Sequence, residues 1–240
     1  MRPKLKAVPT VFKGLKDSLI VLYEHFFLSI SASLLWSICH MPLLYIISFF
    51  SEKILAKKYL GEVGLYLFLV LPLVAFISSA ANAGVFHLIK LLHDEEVKTT
   101  IFDFFTGIKK YYVKSWQITA SYYLILGILI FNMFIINYFF HGLVQVFFAS
   151  VTFFLIVFLG LTFNYAFPFL VQQAPAYKKM WQKVILMTID NGGVSFVLGM
   201  TVALLTLFTR LFPLTFLFVY IVMVGGLQYS VFRQLFARYD

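Results

Sequence analysis

The chain has 240 residues, of which 62% are hydrophobic and only 12% charged, with a formal net charge of +9. A soluble domain is about 25% charged and about half apolar, so this composition excludes a water-soluble globule and makes lipid the solvent for most of the surface. In a soluble protein the surplus of Lys and Arg would suggest nucleic acid, whereas in a membrane protein it marks loops facing the anionic cytoplasmic leaflet, and no nucleic-acid partner is expected.

In chain order, the N-terminal arm sets Phe12, Leu15, Leu19 and Leu22 against Lys13, Lys16 and Glu24, the pattern of a basic amphipathic helix lying in the membrane interface. The run 26–50 contains no Asp, Glu, Lys or Arg. About 20 residues cross a bilayer core, and this run exceeds a signal-peptide apolar region, so it is read as a retained span. His40 lies in its middle, beside the single cysteine, Cys39, which rules out an intramolecular disulfide and a Cys-rich metal site. The second span, 63–89, carries the run Ser78-Ser79-Ala80-Ala81-Asn82-Ala83-Gly84. Small residues let another backbone approach closely. Ser78, Ser79, Ala80, Asn82 and Gly84 are therefore candidates for a helix-packing seam or a partner groove. His87, His93, Asp94, Glu95 and Glu96 follow, a polar cluster read as a solvated loop rather than a metal site.

A second amphipathic segment, 101–114, aligns Ile101, Phe102, Phe104, Phe105, Ile108, Tyr111 and Tyr112 opposite Asp103, Gly107, Lys110 and Lys114. It leads into a third span, 116–140, a turn at His141-Gly142, and a fourth span, 143–171. A third amphipathic segment sets Tyr177, Met180, Trp181, Val184 and Ile185 against Lys178, Lys179, Gln182 and Lys183. Asp190-Asn191 then offers a cap to the fifth span, 193–209. Arg210 and a tight turn at Phe212-Pro213 separate it from the sixth, 211–230. The expected fold is all-α: a single transmembrane domain over 1–240, with six spans and an interfacial helix before each odd-numbered one.

Fifteen of the nineteen Lys and Arg fall in the termini and in the loops after spans two and four, and four fall on the other side. The positive-inside rule therefore puts both termini in the cytoplasm of a multi-pass plasma-membrane protein. Lys13, Lys16, Lys109, Lys110, Lys114, Lys178, Lys179 and Lys183 are the candidate interfacial basic residues, with anionic lipid as their partner. Phe12-Lys13-Gly14-Leu15-Lys16 reads against Phe105-Thr106-Gly107-Ile108-Lys109, and more loosely against Lys178-Lys179-Met180-Trp181. These matches suggest a threefold internal repeat, and because every unit starts on the same side the repeats are parallel.

None of the six spans contains Asp, Glu, Lys or Arg, so neither a carboxylate proton relay nor a voltage sensor is expected. The candidate polar interior is His40, Asn132, Asn164 and Gln228. No His-Glu-x-x-His, Gly-x-Ser-x-Gly or Walker pattern occurs, so no enzyme activity, cofactor or metal is expected.

The stretch from Val85-Phe86-His87-Leu88-Ile89-Lys90 through Ile101-Phe102-Asp103-Phe104-Phe105 to Lys109-Lys110-Tyr111-Tyr112-Val113-Lys114-Ser115-Trp116 resembles the YesL family of six-helix bacterial membrane proteins, whose function is unassigned. The likeness covers roughly 71–127, with a fainter echo over 167–191. It implies a setting beside carbohydrate ABC importers and carries over no catalytic residue. Three functions stay open. One is an accessory or assembly subunit with a membrane-protein partner such as importer subunits; no Glu-Ala-Ala coupling loop marks the permease itself. Another is a stand-alone small transporter or channel for an uncharged solute, with Tyr122, Tyr123 and Tyr165 as sugar-stacking candidates. The third is a lipid-handling or lipid-sensing protein.

The charge asymmetry makes a direct prediction: a reporter active only in the cytoplasm gives signal when inserted after Lys179 and none when inserted at His141. Equal signal at both sites overturns the orientation.

Overall fold

The computed structural model describes residues 6–55, 60–94, 98–212 and 216–238, and every element in them is helical. The helices are α1 (Ala7–Glu24), α2 (Phe26–Leu55), α3 (Leu60–Asp94), α4 (Phe102–Phe139), α5 (Gly142–Gln173), α6 (Tyr177–Asp190), α7 (Gly192–Leu211) and α8 (Ile221–Phe236), the last preceded by a π-helical turn, Phe216–Tyr220. Four stretches, Ala75–Asp94, Phe102–Phe139, Gly142–Gln173 and Gly192–Thr209, are long and apolar enough to cross a bilayer. Their outward faces are apolar: Leu124, Ile128, Phe147, Phe154, Leu204 and Leu207 are all exposed. Such a surface suits lipid and not water. The chain is a multi-pass membrane protein by this measure. Arg2, Lys4, Lys57, Lys58, Glu95, Glu96 and Pro213 lie outside the described residues, so the loop readings that used them rest on the sequence.

α3, α5 and α8 pack against one another and form the centre, while α2, α4 and α7 lie outside them. The α3–α4 seam is the most extensive. There the small-residue run of α3 faces α4: the Ser115 hydroxyl donates to the Ser79 carbonyl at 2.6 Å. A Cβ added to Gly84 would lie 2.8 Å from the Phe104 carbonyl oxygen, and one added to Gly107 would lie 2.5 Å from His87 Cβ.

The three amphipathic segments behave differently from one another. α1 and α2 meet at His25 with a 102° bend. α6 and α7 meet at the single residue Asn191. The two junctions share one backbone geometry, φ/ψ −116°/41° at His25 and −117°/39° at Asn191. Each junction N–H donates to the carbonyl four residues back at 3.1 Å, and each junction carbonyl accepts from a serine four residues ahead, Ser29 or Ser195, at 2.9 Å. The hinge thus turns the chain without leaving its own peptide groups unpaired, which lipid would penalise. The middle segment departs from the expectation. No separate interfacial helix precedes the third span, because α4 runs unbroken for 38 residues. At 1.5 Å per residue it is about 57 Å long, well beyond the bilayer core of about 30 Å. Nothing between Phe102 and Trp116 breaks it, Gly107 alone being too weak a breaker.

The inward faces also differ from the predicted apolar stripes. On α1 the buried residues are Thr10, Val11, Gly14 and Ser18, whereas Phe12 is 66% exposed and Leu19 is exposed as well. On α4 Gly107 is buried and Phe102 and Phe105 are exposed; on α6 Met180 and Val184 are buried and Ile185 is exposed. In lipid, close backbone approach outweighs burial of large apolar groups, so the small face turns inward. α1 docks on α8, with the Ser18 hydroxyl donating to the Met223 carbonyl at 2.8 Å.

α5 ends at Ala174, which takes φ 45° before Pro175 stops the helix. Lys90 Nζ and the Tyr111 hydroxyl donate to the Val171 carbonyl, and Lys114 Nζ donates to that of Ala174. Cationic groups at a helix C-terminus satisfy its orphan carbonyls and complement its dipole. Lys114 is half-buried at this helix end, while Lys13, Lys16, Lys109, Lys110, Lys178, Lys179 and Lys183 are exposed.

Gly107→Ala lowers the melting temperature, with a stability loss of about 1–3 kcal/mol from overpacking against His87. Gly160→Ala, where nothing lies within 4 Å of an added Cβ, leaves it unchanged or slightly raised. Equal effects would show that the seam has room to spare.

Candidate functional site

A cavity of about 570 Å³ lies where the three central helices meet α2, α4, α7 and the π-helical turn. Each central helix contributes one amide to it: Asn82 from α3, Asn164 from α5 and Gln228 from α8. The outer elements contribute rings. Trp36 and His40 come from α2, Tyr122 and Tyr123 from α4, and Tyr220 from the turn. None of its lining residues is Asp, Glu, Lys or Arg.

The polar groups are tied down in two chains. In the first, the Trp36 indole N–H donates to Asn82 Oδ1 at 2.7 Å, and the His40 ring stacks on Trp36 with centroids 3.9 Å apart. His40 Nδ1 lies 2.9 Å from the Trp36 carbonyl, which can only accept, so Nδ1 carries the proton and Nε2 of the neutral ring is an acceptor. In the second, Gln228 Nε2 donates to Asn164 Oδ1 at 2.8 Å, and Asn164 Nδ2 donates to the Gly160 carbonyl at 3.1 Å. This fixes both amide planes. The aromatic wall is similarly set: Tyr122 stacks on Phe163 at 3.9 Å, and the Tyr220 hydroxyl pairs with that of Thr206 at 2.9 Å. Three polar atoms have no partner among the described residues: Asn82 Nδ2 as donor, and Gln228 Oε1 and His40 Nε2 as acceptors. A guest in this cavity meets these atoms and several aromatic faces.

Of the predicted interior residues, His40, Asn164 and Gln228 meet in the cavity. Asn132 does not: it donates to Thr152 Oγ1 at 3.1 Å between α4 and α5, away from the lining. Asn82, read from the small-residue run, lines the cavity, whereas Ser78 and Ser79 are buried and Gly84 is packed against Phe104. Of the three tyrosines singled out, Tyr122 and Tyr123 line the cavity, and Tyr165 is fully buried with its hydroxyl 3.0 Å from Ser195 Oγ. Trp36 and Tyr220 were not anticipated. The signal for Trp36 was its place one helical turn before His40; Tyr220 had none, because a π-helical turn sets its direction. His87, His93 and Asp94 lie on helix α3 and not in a solvated loop, with His87 buried against Gly107, and they form no metal-binding group among the described residues.

No family model, curated protein or solved structure matches the chain. The site is therefore read from its own geometry.

Asn82→Leu removes the acceptor of the buried Trp36 N–H, and an unpaired buried donor costs about 1–3 kcal/mol. The expected result is a lower melting temperature, with Asn82→Asp, which keeps the acceptor, closer to the parent. A Leu variant as stable as the parent would show that Trp36 finds another partner.

Proposed function

We propose that this chain is a six-span protein of the cytoplasmic membrane whose central cavity binds and carries a small uncharged solute bearing hydroxyl groups. The observation that supports it is the cavity lining: aromatic faces with a few fixed, neutral donors and acceptors and no charged residue. A volume of this size is typical of small-molecule sites. Aromatic faces suit the apolar face of a sugar or polyol, while the free amide N–H and amide oxygen suit adjacent hydroxyls. A charged solute would enter with no counter-charge, which a low-dielectric site penalises.

We propose further that the spans derive from three parallel units: α1 to α3, α4 with α5, and α6 to α8. Three features support this. The His25 and Asn191 hinges match. The buried positions Val11, Gly14 and Ser18 of α1 repeat in spacing as Phe104, Gly107 and Tyr111 of α4, with Met180 and Val184 of α6 at the last two places. And each such segment packs on the last helix of the preceding unit, α4 on α3 and α6 on α5, with α1 returning to α8. A ring of three units leaves a hollow at its axis, where each unit supplies one amide.

The test is uptake of radiolabelled uncharged sugars and polyols into liposomes containing only this chain. One or more accumulate in the parent, and Gln228→Leu reduces uptake by about tenfold or more, equivalent to about 1.4 kcal/mol at the site. If no solute moves or raises the melting temperature, and importer subunits co-purify with the chain from mild detergent, the carrier reading fails and the accessory-subunit reading replaces it.

A further inference from the structure

A second cavity, about 470 Å³, lies apart from the first, between α1 and the C-terminal ends of α3 and α8. Its lining differs in kind. Lys13, Asp17 and Glu24 come from α1, His93 from α3, and Arg233 and Gln234 from α8. Two cations face two carboxylates, so the site has no net charge yet is strongly polar at both signs.

Part of this lining is already committed. Arg233 donates to the His93 carbonyl at 3.0 Å and lies 3.7 Å from Asp94. His93 Nδ1 lies 2.9 Å from the Ile89 carbonyl and so donates to it, and its Nε2 accepts from the Ser230 hydroxyl at 2.9 Å. The rest is not. Lys13 and Asp17 stand four residues apart on one helix face, but neither they nor Glu24 makes an ion pair or hydrogen bond to a described residue. Gln234 Nε2 is buried and has no acceptor. With no surface open to the cavity, this amide nitrogen does not meet a guest. The free donors, Lys13 with the outer edge of Arg233, suit a phosphate. The free acceptors, Asp17 and Glu24, suit an ammonium group that still carries N–H bonds.

The surroundings give the guest its second half. Ile20 lines the cavity and is exposed, and Phe12, Leu19 and Tyr23 are exposed on the same helix. α1 meets α2 with a bend of 102°.

We propose that this cavity seats the headgroup of a phospholipid of the phosphoethanolamine type. The phosphodiester lies against Lys13 and Arg233, the primary ammonium lies against Asp17 and Glu24, and the acyl chains lie along the apolar face of α1. The site depends on the membrane reading but not on what the central cavity binds. A purely anionic headgroup leaves the two carboxylates unpaired, and a quaternary ammonium cannot donate to them.

The test is native mass spectrometry of the full chain, titrated with phosphatidylethanolamine, phosphatidylcholine and phosphatidylglycerol of identical chains. Phosphatidylethanolamine binds at least about fivefold more tightly than the other two, the effect of one partly exposed charged contact. Asp17→Asn removes that preference, Lys13→Gln weakens the binding of all three lipids alike because they share the phosphodiester, and Lys109→Gln, an exposed lysine elsewhere, changes neither. Equal binding of the three lipids by the unaltered chain overturns the proposal, as does tighter binding of phosphatidylglycerol. Water-soluble glycerophosphoethanolamine separates the two sources of this chemistry: weak competition supports a lipid, and competition equal to the lipid's overturns the lipid in favour of a soluble ligand.

Discussion

Bilayer hydrocarbon offers no hydrogen bonds, so a polar atom carried into this bundle must find its partner within the chain or lose several kcal/mol. Many hydroxyls obey this locally: Thr119, Thr162, Thr188 and Thr201 each donate to the carbonyl four residues back, while Ser29 and Ser33 are buried without a partner among the described residues. The longer polar groups obey it between helices, and in doing so fix which helices touch. Trp36 with Asn82 joins α2 to α3, Asn132 with Thr152 joins α4 to α5, and Gln228 with Asn164 joins α8 to α5. The same constraint explains why the cavity is informative. Where most polar atoms are paired, the few left facing a hollow describe what the hollow admits.

The helices were legible in the sequence because lipid imposes a length and an absence of charge that composition alone reveals. The boundaries 26–50 and 143–171 fall within α2 and α5, and the hairpin at His141-Gly142 stands where it was expected, with Gly142 at φ 63°. What the sequence concealed was direction. Periodicity located an apolar stripe on α1 but not the side it would turn inward, since in lipid both faces have an apolar place to go. Val11, Gly14 and Ser18 form the inner face because a small side chain permits a backbone contact that Phe12 prevents. The unbroken α4 escaped notice for a related reason. A basic amphipathic segment reads the same whether it lies flat or stands upright, and only packing against α3 decides.

The site was half legible. Polar residues within apolar runs are few, so naming them was easy, and three of the four interior candidates meet in one cavity with Asn82. Asn132 shows the limit of the argument, since its periodicity is no different and its partner, Thr152, lies one hairpin away. Of the aromatic wall, Tyr122 and Tyr123 were named from the sequence, whereas Trp36 and Tyr220 did not stand out in a chain with thirty phenylalanines and fourteen tyrosines. The second cavity was invisible because its residues lie on α1, α3 and α8, elements brought together only by the return of the N-terminal helix to the C-terminal one.

That return also has a temporal meaning. Ser18 and its partner Met223 are separated by 205 residues, and ribosomes add about 5–20 residues each second. The first helix of a nascent chain therefore waits about 10–40 s before its docking surface exists. During that interval the outward Phe12, Leu19 and Tyr23 give it a place to rest on the membrane, and the small inward face stays open. A chain whose synthesis stops before α8 leaves that face without the surface it docks on.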